Sequence, residues 1–190
     1  MAKKASEPKK PLSVEWFQEI WPQERDVMSR PDRYRYVRRL IVPEGCVFCK
    51  ARETGVGFES LNLYMGETAM LVLNKYPYNN GHLLVLPQRH VGSLLDLSEK
   101  ESLELYALLR KAQAALLKVY NCSGFNIGIN QGAVSGAGIP DHLHWHIVPR
   151  WAGDTNFFPI LAETKVQAES LEQTYERLLP YFRGIDDDQR

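Results

Sequence analysis

The stretch His142-Leu143-His144-Trp145-His146-Ile147-Val148-Pro149 decides how this chain is read. Three of the five histidines in the protein fall within its first five positions. On a β-strand, residues i, i+2 and i+4 point to one face, so the three imidazoles share a side. Leu143, Trp145 and Ile147 then face the opposite way and can enter a core. At ~3.3 Å rise per residue the rings are ~6.6 Å apart, a row long enough to flank one phosphate. A helix would turn alternate residues ~200° apart, and the rings could not converge. Ile147 and Val148 favour the strand, and Pro149 marks where its ladder stops.

Working outward, Phe125–Gln131 (FNIGINQ) reads as another strand, joined to the histidine stretch through a Gly- and Ala-rich loop at 132–138. Upstream, Ser98–Tyr120 is the main helix. Ser98 and Glu101 form a capping box, Leu105, Leu109, Ala112, Leu116 and Tyr120 recur at helical spacing, and Asn121 and Gly124 end it. His82–Pro87 reads as a buried strand closed by proline, with His90 just beyond it. Residues 60–66 and 68–75 read as two strands around a turn at Gly66-Glu67, and 76–81 as loop. Cys46-Val47-Phe48-Cys49 fits a tight turn presenting two thiolates to one cation, while Cys122 stands apart. A short amphipathic helix is expected over 13–20 and a second over 167–182, carrying Leu171, Tyr175 and Leu178. The resulting fold class is α+β: an antiparallel meander of about five strands, one long helix across it, and a C-terminal helix.

Composition narrows the function classes. At 44% hydrophobic and 24% charged, the 190 residues suit one globular domain over 13–183, with a basic tail at 1–12 and an acidic one at 184–190. Zero net charge removes the usual reason to expect nucleic acid as a partner. No apolar run approaches the ~20 residues of a membrane span, and no apolar block follows the basic N-terminus as a signal peptide would, so a cytoplasmic protein is expected. Three cysteines do not make a disulfide framework. A catalytic metal held by the three histidines alone is a rival reading of the motif.

The complete His-Φ-His-Φ-His-Φ-Φ pattern at 142–148 (Φ apolar) resembles the histidine-triad superfamily of nucleotide hydrolases and transferases. Supporting matches are Leu73-Asn74-Lys75, Tyr78-Asn79-Asn80-Gly81-His82, Pro87-Gln-Arg-His90 and Gln131. His146-Ile-Val-Pro-Arg-Trp, followed by Gly153-Asp-Thr-Asn-Phe157, is most similar to the branch of diadenosine tetraphosphate phosphorylases and ATP adenylyltransferases. The resemblance implies a HIT-like fold and a nucleotidyl transfer in which His144 attacks the α-phosphorus to form a nucleotidyl-histidine. A histidine suits that role, because its ring is largely neutral at pH 7 and offers a lone pair without a separate base. His146 would bind the phosphate and help protonate the leaving group, and Gln131 would contact the α-phosphate as an amide donor. Asn74 would hold the ribose hydroxyls, with Lys75, His82, Asn130, Gly136 and Gly138 completing the nucleotide contacts. Phosphate or water could accept the nucleotidyl group. A phosphoramidate hydrolase and a non-catalytic nucleotide-binding module are the alternatives.

The resemblance also implies one structural zinc, held by Cys46, Cys49, His90 and His142 with no open position for water. It implies no organic cofactor, an adenine nucleotide or dinucleoside polyphosphate as ligand, and a homodimer. One departure stands out: Gly136-Ala137-Gly138-Ile139-Pro140 carries no polar side chain where many relatives place a Ser, Thr or Gln.

Overall fold

The computed structural model describes residues 45–154 and 168–183. The expected helix at 13–20 and both tails lie outside them. In chain order the elements are α1 (Val47–Thr54), β1 (Asn62–Met65), β2 (Ala69–Leu73), β3 (Leu83–Pro87), α2 (Glu99–Tyr120), β4 (Gly124–Ile129), β5 (Trp145–Arg150) and α3 (Leu171–Leu178). Each strand pair is antiparallel, and the five strands run in the order β1-β2-β3-β5-β4. The α+β class is therefore as expected, but the sheet is not a plain meander. The histidine strand inserts between β3 and β4. Ile147 and Val148, on opposite faces of it, are both buried, and an inner strand covered on two sides can accommodate that.

The unbroken apolar runs of β2 and β3 are explained by burial on both faces. Leu71, Leu73, Leu83 and Val85 pack with Ile147 against Leu105, Leu108, Leu109, Ala112 and Leu116 of α2. Their alternates, Met70, Val72, Leu84 and Leu86, face the other way and pack with Phe48 of α1. The sheet is thus a septum. The long helix closes one side, and α1 covers part of the other.

The strands over 60–66, 68–75, 82–87 and 125–131 shift at their ends by one to two residues, and three larger differences have a physical cause. The ladder begins at Trp145 rather than His142, because the chain just before it is bonded elsewhere: Leu143 N donates to Val91 O at 2.7 Å and His142 N to Ile139 O at 3.3 Å. Cys46-Val47-Phe48-Cys49 is the first turn of a helix rather than a tight turn, with Cys46 at its N-cap. The last helix starts at Leu171, not 167, because Ser170 and Gln173 form a capping box there, and Leu179–Tyr181 continues it as a 3₁₀ turn after Leu178.

One glycine is required by both space and backbone. Gly81 has φ of 75°, and a Cβ there would meet Tyr120 and Leu116 of α2 at 2.9 and 3.0 Å. The close approach lets the chain turn into β3 immediately after His82.

Helix α2 is anchored at its N-terminus by charge as well as by its cap. Glu101 accepts from Ser98 N at 2.8 Å and Ser98 Oγ at 2.9 Å, and it takes both Arg89 Nε and Nη2 at 2.9 Å. The Arg89 hydrogen bond is the main cause that holds this buried carboxyl down at about 2, below its ordinary 4.5. A depressed folded-state value means the contribution is complete above about pH 4.5 and is lost as the pH falls toward 2. Glu101→Gln keeps the capping box and removes the ion pair. It should cost about 1–2 kcal/mol at pH 7, allowing for the half-exposed arginine. Urea denaturation across pH should show that gap closing between 4.5 and 2; a pH-independent gap would contradict the assignment.

Candidate functional site

The first histidine of the row faces a cluster of thiols. His142 is fully buried, and its Nδ1 lies 3.3 Å from Cys46 Sγ and 3.8 Å from Cys49 Sγ. His90 Nδ1 is 3.4 Å from Cys49 Sγ. The four ligand atoms all lie within 4.8 Å of one another. The opposite nitrogen of His142, Nε2, donates to the carbonyl of Pro87 at 2.8 Å, which leaves the Nδ1 lone pair aimed at the cluster. Burial lowers the His142 pKa to about 4, so the ring is neutral at pH 7, as a metal ligand must be. Burial, with Cys46 beside it, raises the Cys49 thiol, since two thiolates this close repel without a cation between them. Two sulfurs and two imidazole nitrogens make a donor set that could hold a metal ion, and the set fits a tetrahedral one.

The second histidine has its tautomer set by the first. His144 Nδ1 donates to the backbone carbonyl of His142 at 2.8 Å, so the remaining nitrogen, Nε2, carries a lone pair. Burial lowers its pKa and keeps the ring neutral. The third histidine rests on His82. Tyr78 N donates to His82 Nδ1 at 3.0 Å, so the His82 proton sits on Nε2, which is 2.9 Å from His146 Nδ1. His146 accepts there and bears its own proton on Nε2. Ring centroids of His144 and His146 are 5.1 Å apart, and the Tyr78 ring is stacked on His146 at 6.0 Å. The row therefore presents a lone pair beside an N–H donor.

Both rings open onto a cavity of about 780 Å³. One wall is α1, through Val47, Phe48, Lys50, Ala51 and Thr54; Gly136, Ala137, Gly138 and Ile139 also border it. Asn74, Lys75, Tyr76 and Tyr78 enter from the loop after β2, and Asn130 from the end of β4. The volume lies in the range of small-molecule sites.

Of the residues singled out from sequence, His144, His146, Asn74, Lys75, Asn130, Gly136 and Gly138 meet around this cavity. His142 lies behind it among the thiols with Cys46, Cys49 and His90. His82 is buried beneath His146 and does not line the cavity. Gln131 is exposed, its Oε1 accepting from Leu94 N at 3.1 Å, and it too is absent from the lining.

Sequence reasoning assigned no role to Phe48, Tyr78, Asn79 or Asp154. Phe48 is buried against His142 and His144, with centroids at 5.3 and 5.0 Å. Asn79 Nδ2 donates to Pro149 O at 2.9 Å and Asp154 Oδ2 at 3.0 Å, so the loop carrying Tyr78 is moored to the end of β5. Asp154 is held well below the usual carboxylate range, chiefly by the bidentate Arg150 pair at 2.6 and 2.7 Å. The i, i+4 spacing of Arg150 and Asp154 was the available signal for that mooring.

The HIT domain family matches residues 58–153. The chain is 46% identical over 121 residues to an AP-4-A phosphorylase of Mycobacterium tuberculosis, covering 64% of this chain and 62% of that protein. It is 40% identical over 91 residues to the asymmetrical bis(5'-nucleosyl)-tetraphosphatase of Schizosaccharomyces pombe, covering 48% of this chain and 50% of that one. The chain therefore spans less than two thirds of either relative. Its fold is shared with the crystal structure of a Zn-bound histidine triad family protein from Mycobacterium smegmatis: TM-score 0.59, 24% identity, 76% of this chain and 98% of that chain. The HIT match spans half the sequence and the complete histidine row lies within it, so the chain belongs to the histidine-triad family.

Proposed function

We propose that this protein cleaves dinucleoside polyphosphates of the diadenosine tetraphosphate kind at the α-phosphorus, through a nucleotidyl-histidine on His144. The observation that carries the reading is the His144 ring. It lines the cavity with its Nδ1–H committed to the His142 carbonyl, so its free lone pair is the Nε2 one. Attack by that nitrogen forms an N–P bond, and the bond from phosphorus to the bridging oxygen breaks. From diadenosine tetraphosphate this leaves adenylyl-His144 and ATP. His146, with its proton on Nε2, would donate to the phosphoryl or bridging oxygen. Phosphate as second nucleophile would release ADP, and water would release AMP; either restores the neutral ring.

The remaining cavity residues divide the work of binding. Asn74 Oδ1 accepts from Tyr76 N at 2.9 Å, which steadies its amide for the ribose hydroxyls. Lys75 would meet the phosphate chain. Along 136–139 only the backbone offers donors, and N–H groups there can approach phosphate closely because two of the four residues are glycine. Gln131 is held by Leu94, so we assign the α-phosphate contact to this backbone instead. The names of the two relatives, a phosphorylase and an asymmetrical tetraphosphatase, support this substrate class.

Zinc belongs to the same proposal. Cys46, Cys49, His90 and His142 would hold it in a closed Cys₂His₂ set, where it ties α1 to the chain entering β5. No reaction step runs through it, and the proposal needs no organic cofactor. A homodimer is also proposed. β4 is a sheet edge with Ile127 exposed, and Leu103, Tyr106 and Leu117 are exposed on α2.

Diadenosine tetraphosphate given with and without inorganic phosphate should yield ATP plus ADP only when phosphate is present if the protein is a phosphorylase, and ATP plus AMP if it is a hydrolase. His144→Ala should lower turnover by at least ~1,000-fold while nucleotide binding persists; undiminished turnover would sink the mechanism. Elemental analysis of the purified protein should find one zinc per chain, absent in Cys49→Ser, whose thermal midpoint should drop. Light scattering should return twice the 21.8 kDa chain mass, and charged substitution of Ile127 should shift it toward the monomer.

A further inference from the structure

We infer that metal binding at the thiol cluster and nucleotide binding in the cavity are one coupled equilibrium, transmitted by Phe48 as a positioning residue for His144. The inference rests on the nucleotide occupant proposed above.

Phe48 sits between the two cysteines, so an ion that holds Cys46 and Cys49 fixes the backbone on both sides of it. Its ring has two neighbours in the histidine row. It meets His142 edge-on at 75° and lies tilted against His144 at 53°. The same ring packs with Met70, Val72, Leu84 and Leu86 and lines the cavity. One side chain thus touches the cluster, the ring that borders the cavity, and the cavity itself. A second link runs through the main chain, because the residue whose ring faces the thiols also supplies the carbonyl that orients His144.

The helix that bears Phe48 depends on tethers. It has eight residues, well short of the ~12–15 at which isolated helices become even marginal. Cys46 at its N-cap makes no side-chain capping bond, and its first turn holds no acidic residue. Its other ties include the burial of Phe48 and Ala51, the packing of Val47 against the sheet, and Arg52 Nη1 donating to Gln88 O at 3.1 Å. Yet five of its residues line the cavity. An ion at the cluster orders this wall before a nucleotide arrives, and the nucleotide then binds without bearing that cost. Linkage makes the effect reciprocal: a bound nucleotide must tighten the ion by the same factor.

AMP is a suitable probe, since it lacks the second nucleotide that the reaction would expel. Its dissociation constant, measured by calorimetry, should be about 5- to 100-fold weaker for chelator-stripped protein than for protein carrying one equivalent of Zn²⁺. Zn²⁺ affinity, from competition with a chromophoric chelator, should rise by the same factor at saturating AMP. Phe48→Leu should shrink both factors to the part that the main-chain link carries, and Phe48→Tyr, which keeps the ring, should retain them. Equal AMP affinity with and without Zn²⁺ overturns the coupling and leaves the nucleotide reading intact, as does failure to retain Zn²⁺. AMP binding to neither form overturns both. Should the stripped chain lose its fold by circular dichroism, Zn²⁺ affinity decides: a rise at saturating AMP in Phe48→Tyr and not in Phe48→Leu supports the coupling, and an equal rise in both overturns it.

Discussion

The hydrogen bond from His144 Nδ1 to the carbonyl of His142, 2.8 Å long and buried, is the constraint from which the site follows. A carbonyl can only accept, so the proton must sit on Nδ1 and the lone pair on Nε2. Nearby, Tyr78 N fixes the proton of His82 on its far nitrogen, and His82 in turn fixes that of His146. Two adjacent rings of the same residue type thus offer opposite chemistry. The difference comes from what each ring touches on its buried side, not from the side chain itself.

The sheet order serves this arrangement. With β5 between β3 and β4, His146 is paired across from Leu84 on one side and Gly128 on the other. Its side chain emerges on the face that Phe48 shares with Leu84, while Ile147 turns toward the long helix. The septum therefore separates two tasks. The α2 face is a close-packed apolar core. The other face is only partly covered, and the uncovered part is the cavity. His142 lies where the chain has not yet joined the ladder, and that release lets its ring turn to the thiols while its carbonyl stays with His144.

Much of this was legible in residue order. The two-residue period put His144 and His146 on one side, though not His142 at the cavity, and the capping box at Ser98 and Glu101 marked the start of the long helix. Asn121, in the left-handed conformation, marked its end. The apolar runs of β2 and β3 were recognisable as strands. What the period did not reveal was the first turn of α1, because four residues around two cysteines carry no helical repeat to read. Nor did it reveal the start of the last helix, where the Ser170–Gln173 box outweighed an apolar pattern that extends further upstream. The exposed place of Gln131 was equally hidden, since it depends on a backbone N–H 37 residues away.

By itself the sequence determined the strands of the sheet, the long helix, the common side of His144 and His146 and the metal-type spacing of two cysteines, because each depends on neighbours within a few positions. Tertiary structure alone decided the strand order, the meeting of Cys46 and Cys49 with His90 and His142, the placement of Phe48 against His144, and the tautomer of each ring. Those depend on contacts between residues tens of positions apart, as with Cys46 and His142 or His82 and His146. A local pattern specifies which face a side chain takes; only the closed fold specifies which atom lies opposite it, and hence where each proton resides.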